Sequence, residues 1–69
     1  MPFHPEGVFQ VKAFDRRRRL LGGQQLVFYG DRITARITTD EHGAIVFLGN
    51  PTMYHIDIGP ELGIAIEPL

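Results

Sequence analysis

The chain has 69 residues, 43% of them hydrophobic, and a formal net charge of −1 at pH 7. A chain of this length is one domain that buries only about 60% of the surface its unfolded form exposes, so its core is small. Cysteine is absent, which excludes disulfide stapling and any Cys-based zinc site, and no apolar run exceeds five residues, far short of a membrane span. Five phenylalanines and two tyrosines within that apolar content argue for a folded chain. The opening "MPFHPEGVFQ" lacks the basic start and continuous apolar stretch of a signal peptide, so the expected location on synthesis is cytoplasmic.

Taken in chain order, the predicted elements are short strands with period-2 alternation, and no window sustains a helical period. In 8–15, Phe9, Val11 and Ala13 share one face, with Gln10, Lys12 and Phe14 on the other. Residues 24–30 are apolar on both faces at Leu26–Tyr29, the pattern of a central or doubly covered strand. Across 32–40, Ile33, Ala35 and Ile37 alternate with Thr34, Arg36 and Thr38. Residues 44–49 are almost wholly apolar. In 53–59, Tyr54, Ile56 and Ile58 face inward, opposite His55 and Asp57. Ile64 and Ile66 share a face of 63–69, where Pro68 forbids a central position. The expected core is Phe9, Val11, Leu26, Phe28, Ile33, Ile37, Ile45, Phe47, Tyr54, Ile56 and Ile64.

Gly, Pro, Asn and Asp punctuate these runs at 22–23, 30–31, 40–43, 49–51 and 59–60. Six short strands so divided predict an all-β antiparallel sandwich; an SH3-like or OB-like small barrel could carry the same alternation. In the turn Asp40-Glu41-His42-Gly43, Asp40 accepts backbone N–H bonds and Gly43 supplies a positive φ, which accounts for both end residues without a ligand. A calcium loop needs six or more oxygen ligands, more than Asp40 and Glu41 offer.

The spacing Thr39-Asp40-x-x-Gly43-x-x-x-Phe47, followed by Gly49, Pro51 and Tyr54, resembles the hairpin of prealbumin-like sandwiches. That group includes the Cna protein B-type repeats and the carboxypeptidase regulatory-like domains. Upstream, Asp15 followed by Leu21 and Gly23 is similar to the corner between the family's first two strands. The resemblance implies a sandwich used as a stalk, spacer or appended binding module. Arg18 and Leu20 replace the family's usual Gly and Pro, which implies a differently shaped corner. Room for six strands instead of seven implies either a trimmed sandwich, which leaves an unpaired edge, or an edge completed by another copy. The Lys–Asn isopeptide bond of some members is not expected, because Ala13 stands where the Lys would be and the last strand has no Asn.

The segment "DRRRRLLGG" (15–23) is the feature a plain sandwich does not require. Arg16, Arg17, Arg18 and Arg19 could neutralise phosphates, with Phe14 or Tyr29 stacking a base. They could equally dock on an acidic protein surface, or act only as a charged loop that keeps the domain in solution. Residues 1–36 hold all seven basic and three acidic residues, a balance of +4; residues 37–69 hold five acidic and no basic ones, a balance of −5. A fold that keeps the halves apart would therefore have one basic end and one acidic face.

His4, His42 and His55 are scattered; His55 and Asp57 at i, i+2, with His42, are the one combination with metal-ligand character, and a solvated strand face explains them equally. There is no serine, no Cys and no phosphate-binding glycine loop. The expectation is a non-enzyme without cofactor or metal, acting as an interaction or structural module. It would bind itself or another protein through an edge strand and Arg16–Arg19, away from membranes; the alternative is a small nucleic-acid-binding barrel.

Overall fold

The structure, a computed structural model, describes residues 7–69. Six strands form: β1 (Val8–Phe14), β2 (Gln25–Gly30), β3 (Ile33–Thr38), β4 (Ala44–Leu48), β5 (His55–Asp57) and β6 (Gly63–Pro68). They build two antiparallel three-stranded sheets, ordered β4-β1-β6 and β3-β2-β5. The sheets do not merge into a closed barrel, so the barrel alternative is set aside. The alternation within each strand explains the layering, because period-2 side chains divide between an inner and an outer face.

Val11, Ala13 and Ile45 from the first sheet meet Leu26 and Phe28 from the second to form the buried core. The Phe28 ring stacks on Phe47 with centroids 4.9 Å apart, and Tyr54 meets both rings edge-on at 6.1 and 5.3 Å. Ile37, Phe47, Tyr54, Ile56 and Ile64 pack around this centre half-buried. Ile33 does not belong to the core: it is 53% exposed, because it follows directly on the two-residue β2–β3 turn at the end of the sandwich, beyond the reach of the facing sheet. Ala13, Leu21, Ala35, Ala44, Ile58 and Ile66 complete the core in its place.

β2 is central, with Val27 and Tyr29 on an outer face that no other described element covers; Tyr29 is 42% exposed. The predicted strand at 53–59 begins later. Pro51–Met53 form one turn of 3₁₀ helix, started by Asn50, whose Oδ1 accepts from the Thr52 N–H at 3.0 Å. Pro68 pairs with Phe9 at the end of β6, an edge strand.

The two halves of the sequence are interleaved. β1 runs between β4 and β6, and β2 is flanked by β3 and β5. Lys12 pairs with Glu67 at 3.8 Å and Arg16 with Glu61 at 3.1 Å, so the basic and acidic halves face each other and do not form separate poles. Two ends result: the loops at 15–24, 39–43 and 58–62 gather at one, and the β2–β3 turn and 49–54 at the other.

Candidate functional site

Two turns at the first end share one backbone pattern. In the turn 15–19, Asp15 Oδ1 accepts from the N–H groups of Arg17 (2.8 Å) and Arg19 (3.0 Å). The Arg18 N–H donates to the Asp15 carbonyl, and the Asp15 N–H to the Arg19 carbonyl, both at 2.9 Å. In the turn 40–44, Asp40 Oδ1 accepts from His42 (2.8 Å) and Ala44 (3.0 Å). The Gly43 N–H donates to the Asp40 carbonyl at 3.1 Å and the Asp40 N–H to the Ala44 carbonyl at 2.9 Å. Each aspartate thus satisfies the orphan donors of a tight turn whose fourth residue is left-handed.

That fourth residue is Gly43 in one turn, at φ 78°, and Arg18 in the other, at φ 66°. At position 18 arginine adopts the left-handed conformation that glycine supplies in the other turn. A left-handed L-residue costs about 1–2 kcal/mol, so the arginine is held there against its own preference. Gly23, at φ 70°, reverses the chain before β2.

Both aspartates titrate below the ordinary carboxylate range. The Arg19 N–H lowers Asp15 most, with Arg17 adding and partial desolvation opposing. The Ala44 N–H lowers Asp40 most, followed by His42, again against some desolvation. Backbone donors aimed at the ionised carboxylate favour it over the acid.

Thr39 ties the two turns together. It is 4% exposed, and its hydroxyl donates to the Leu21 carbonyl at 2.6 Å while accepting the Gln24 N–H at 2.9 Å. Gly43 lies under the same segment: a Cβ there would meet Leu21 N at 2.8 Å and Leu20 Cβ at 2.9 Å.

The four arginines are not equivalent. Arg19 pairs with Asp15 at 3.4 Å and Arg16 with Glu61 at 3.1 Å. Among the described residues Arg17 and Arg18 make no ion pair, so they are the unneutralised charges at the turn tip. Arg16, Arg17 and Arg19 line an open depression of about 290 Å³ with Asp15, Pro60, Glu61 and Leu62. The two carboxylates make it a poor seat for an anion. Neither proposed stacking residue belongs to this surface. The Phe14 ring lies over Gly63, where a Cβ would fall 2.6 Å from its Cε1, and Tyr29 sits beside His55, ring centroids 6.2 Å apart.

His55 and Asp57 occupy the outer face of β5, whereas His42 lies in the acidic turn, 3.4 Å from Glu41. Among the described residues no three His, Asp or Glu side chains converge on a point that could hold a metal ion. His4 lies outside the described residues. No helix among them is long and apolar enough to cross a membrane.

The surface that sequence reasoning did not locate is the free edge of β4. The Ala13 N–H donates to the Gly43 carbonyl, the Leu21 N–H to the Ala13 carbonyl, and the Gly49 N–H to the Gly7 carbonyl. In an antiparallel pair, alternate residues turn both backbone groups toward the same neighbour. The register Val11↔Ile45 and Phe9↔Phe47 therefore directs Ile45 and Phe47 to β1, and Ala44, Val46 and Leu48 away from it. Ala44 is satisfied by Asp40; Val46 and Leu48 present N–H and C=O groups that have no partner among the described residues. Their side chains are 61% and 77% exposed, next to Val8 (42%) and Leu69 (69%) on the outer face.

The other edges offer less. β3 shows Thr34, Arg36 and Thr38 outward and β5 has three residues; β6 turns the backbone groups of Ile64 and Ile66 away from β1, but their side chains are half-buried and the strand closes on Glu67 and Pro68. An open β4 edge had one sequence signal: a strand apolar on both faces and without charge. The signal did not say which face or edge would stay bare. Of the predicted site residues, Phe47 lies on the inner face of β4 and Tyr54 packs against it, and Asp15, Gly23, Asp40 and Gly43 shape the turns. Arg16 leans toward the 58–62 loop on the β6 side of β1, so arginine turn and open edge are separate surfaces.

Comparison of the chain with family models, with curated proteins and with solved structures finds no match.

Proposed function

We propose that this chain is a non-catalytic interaction module, a trimmed prealbumin-like sandwich that docks a partner strand along the edge of β4. The single observation that carries this reading is the pair Val46 and Leu48, whose backbone groups have no partner among the described residues and whose apolar side chains are exposed at the edge of the first sheet. Strand addition at such an edge takes affinity from main-chain hydrogen bonds and selectivity from alternate side chains. The prealbumin-like assignment draws support from Asp15 and Asp40, which close like turns at the two positions where the resemblance puts an aspartate. Arg17 and Arg18 form a second, charged contact that orients an acidic protein partner and raises its rate of arrival more than its affinity. Nucleic acid is disfavoured because, among the described residues, no exposed aromatic stands beside the arginines.

A labelled peptide carrying residues 45–48 between lysines provides the test, by fluorescence anisotropy at low chain concentration. The expected result is saturable binding, lost in Val46→Lys and lost when the peptide backbone is N-methylated at alternate residues. Binding that ignores both changes, or no binding at all, rejects the edge as the docking site. Binding of a single-stranded oligonucleotide that disappears in Arg17→Ala/Arg18→Ala would replace this reading with the nucleic-acid one.

A further inference from the structure

Resting on the strand-docking reading, we infer that the partner of β4 is β4 of a second copy, paired antiparallel about a two-fold axis at Phe47. The hydrogen-bonding groups of the edge select this register. Among the described residues, Val46 and Leu48 are the β4 positions that offer free groups, since the Ala44 N–H already donates to Asp40 Oδ1 and its carbonyl already accepts the Asp40 N–H. Beyond Leu48, Gly49 is turned to Gly7, and Asn50 leaves the strand to cap the 3₁₀ turn, its carbonyl already accepting the Met53 N–H.

Two edges of this kind match in one antiparallel register. Val46 stands opposite Leu48 of the second copy, and Leu48 opposite its Val46. Each is a hydrogen-bonded pair exchanging two bonds, so every free group on both edges finds a partner. Centring the axis on Val46 instead would set Leu48 against Ala44, whose groups are occupied. The spacing i, i+2 of the free residues makes the edge complementary to itself, the requirement of an isologous interface.

Side chains agree with the register. Phe47 meets its counterpart at the axis as a non-hydrogen-bonded pair, the closer kind, on the inner face. Its ring is half-buried and fixed by Phe28 and Tyr54, so it is a rigid aromatic anchor at the edge of the core. On the outer face Val46 of one copy lies beside Leu48 of the other. Leu48 pairs laterally with Val8, which in turn accepts the Leu69 N–H at 2.8 Å. A stripe of exposed apolar groups is thereby covered. β4 carries no charge, so nothing repels the copy. The product is a continuous sheet, β6-β1-β4-β4-β1-β6. It also extends a small core, whose buried apolar residues among those described are Val11, Ala13, Leu26, Phe28, Ala44, Ile45 and Pro51.

The experiment combines light scattering on a sizing column with single-cysteine cross-linking, which the cysteine-free chain permits without background. The wild-type protein is expected at the mass of two chains, twice 7.8 kDa, at both low and high salt. Val46→Lys and Leu48→Lys are expected at the mass of one, with unchanged circular dichroism. Val46→Cys mixed with Leu48→Cys is expected to form a mixed disulfide at least about tenfold faster than either variant alone, because paired residues approach to about 5.5 Å between Cα atoms. Fastest cross-linking of Val46→Cys with itself overturns the register. A wild-type monomer at all concentrations overturns the second copy as partner. The strand-docking reading then stands or falls separately, on whether the labelled strand peptide binds that monomer.

Discussion

The turns 15–19 and 40–44 have the same hydrogen bonds, the same aspartate clamp and the same left-handed fourth residue, yet opposite charge and different chemistry at that residue. The comparison separates what the backbone needs from what the side chains add. An aspartate at the first position and a positive φ at the fourth suffice to turn the chain; glycine only makes the second requirement inexpensive. Where the turn packs under the neighbouring segment, as at Gly43, a side chain has no room. Where it faces solvent, as at Arg18, the domain tolerates strain and presents a guanidinium.

Gly43→Ala should break the symmetry most severely. The added Cβ would fall 2.8 Å from Leu21 N in a left-handed backbone, so a loss on the order of 3 kcal/mol is expected, checked by urea unfolding. Roughly 3–10 kcal/mol is the range for a chain this long, so the variant would be partly unfolded at 37 °C. Thr39→Val, nearly isosteric, should cost about 2 kcal/mol by leaving the Leu21 carbonyl and Gln24 N–H unpaired at a buried site, read by the same titration.

The aspartates sharpen the comparison. Asp40→Ala is expected to lower Tm by roughly 5–10 °C and Asp15→Ala by about half as much, because the acidic turn leads directly into buried Ala44 and Ile45 while the arginine turn is solvated. Both carboxylates have their folded-state pKa depressed. Their contribution is thus fully present above the unfolded aspartate value of about 3.9, and is lost as pH falls through the lower folded values. Tm measured from pH 6 down to pH 2 should decline only below about pH 4, and Asp15→Asn/Asp40→Asn should flatten that decline.

The smallest effect has the opposite sign. Arg18→Gly should stabilise the domain by about 1 kcal/mol by relieving the left-handed arginine. If Arg18 contributes to an acidic partner's docking, the same substitution should slow association at low ionic strength and leave dissociation nearly unchanged.

Much of this architecture was legible in the residues. The inward sets Val11-Ala13 and Tyr54-Ile56-Ile58 follow from alternation, which is a property of a few neighbouring residues. The turn at Asp40–Gly43 follows from local hydrogen-bonding chemistry. Ile33 shows where this reading stops: its alternation is correct and its burial is not, because burial depends on whether the opposite sheet extends that far. The 3₁₀ turn at Pro51–Met53 was hidden because Asn50 and Pro51 signal a chain reversal without specifying its form.

By itself, then, the sequence determined six strands, their inner faces and the places where the chain reverses, all consequences of interactions spanning a few positions. Tertiary structure alone decided which strands lie at the edges, which arginines find carboxylates, and that Val46 and Leu48 remain bare. Those outcomes depend on pairing β1 with residues more than thirty positions away. Strand order is a choice among distant partners of similar local pattern, settled by packing of the whole core and by the completeness of its hydrogen bonds.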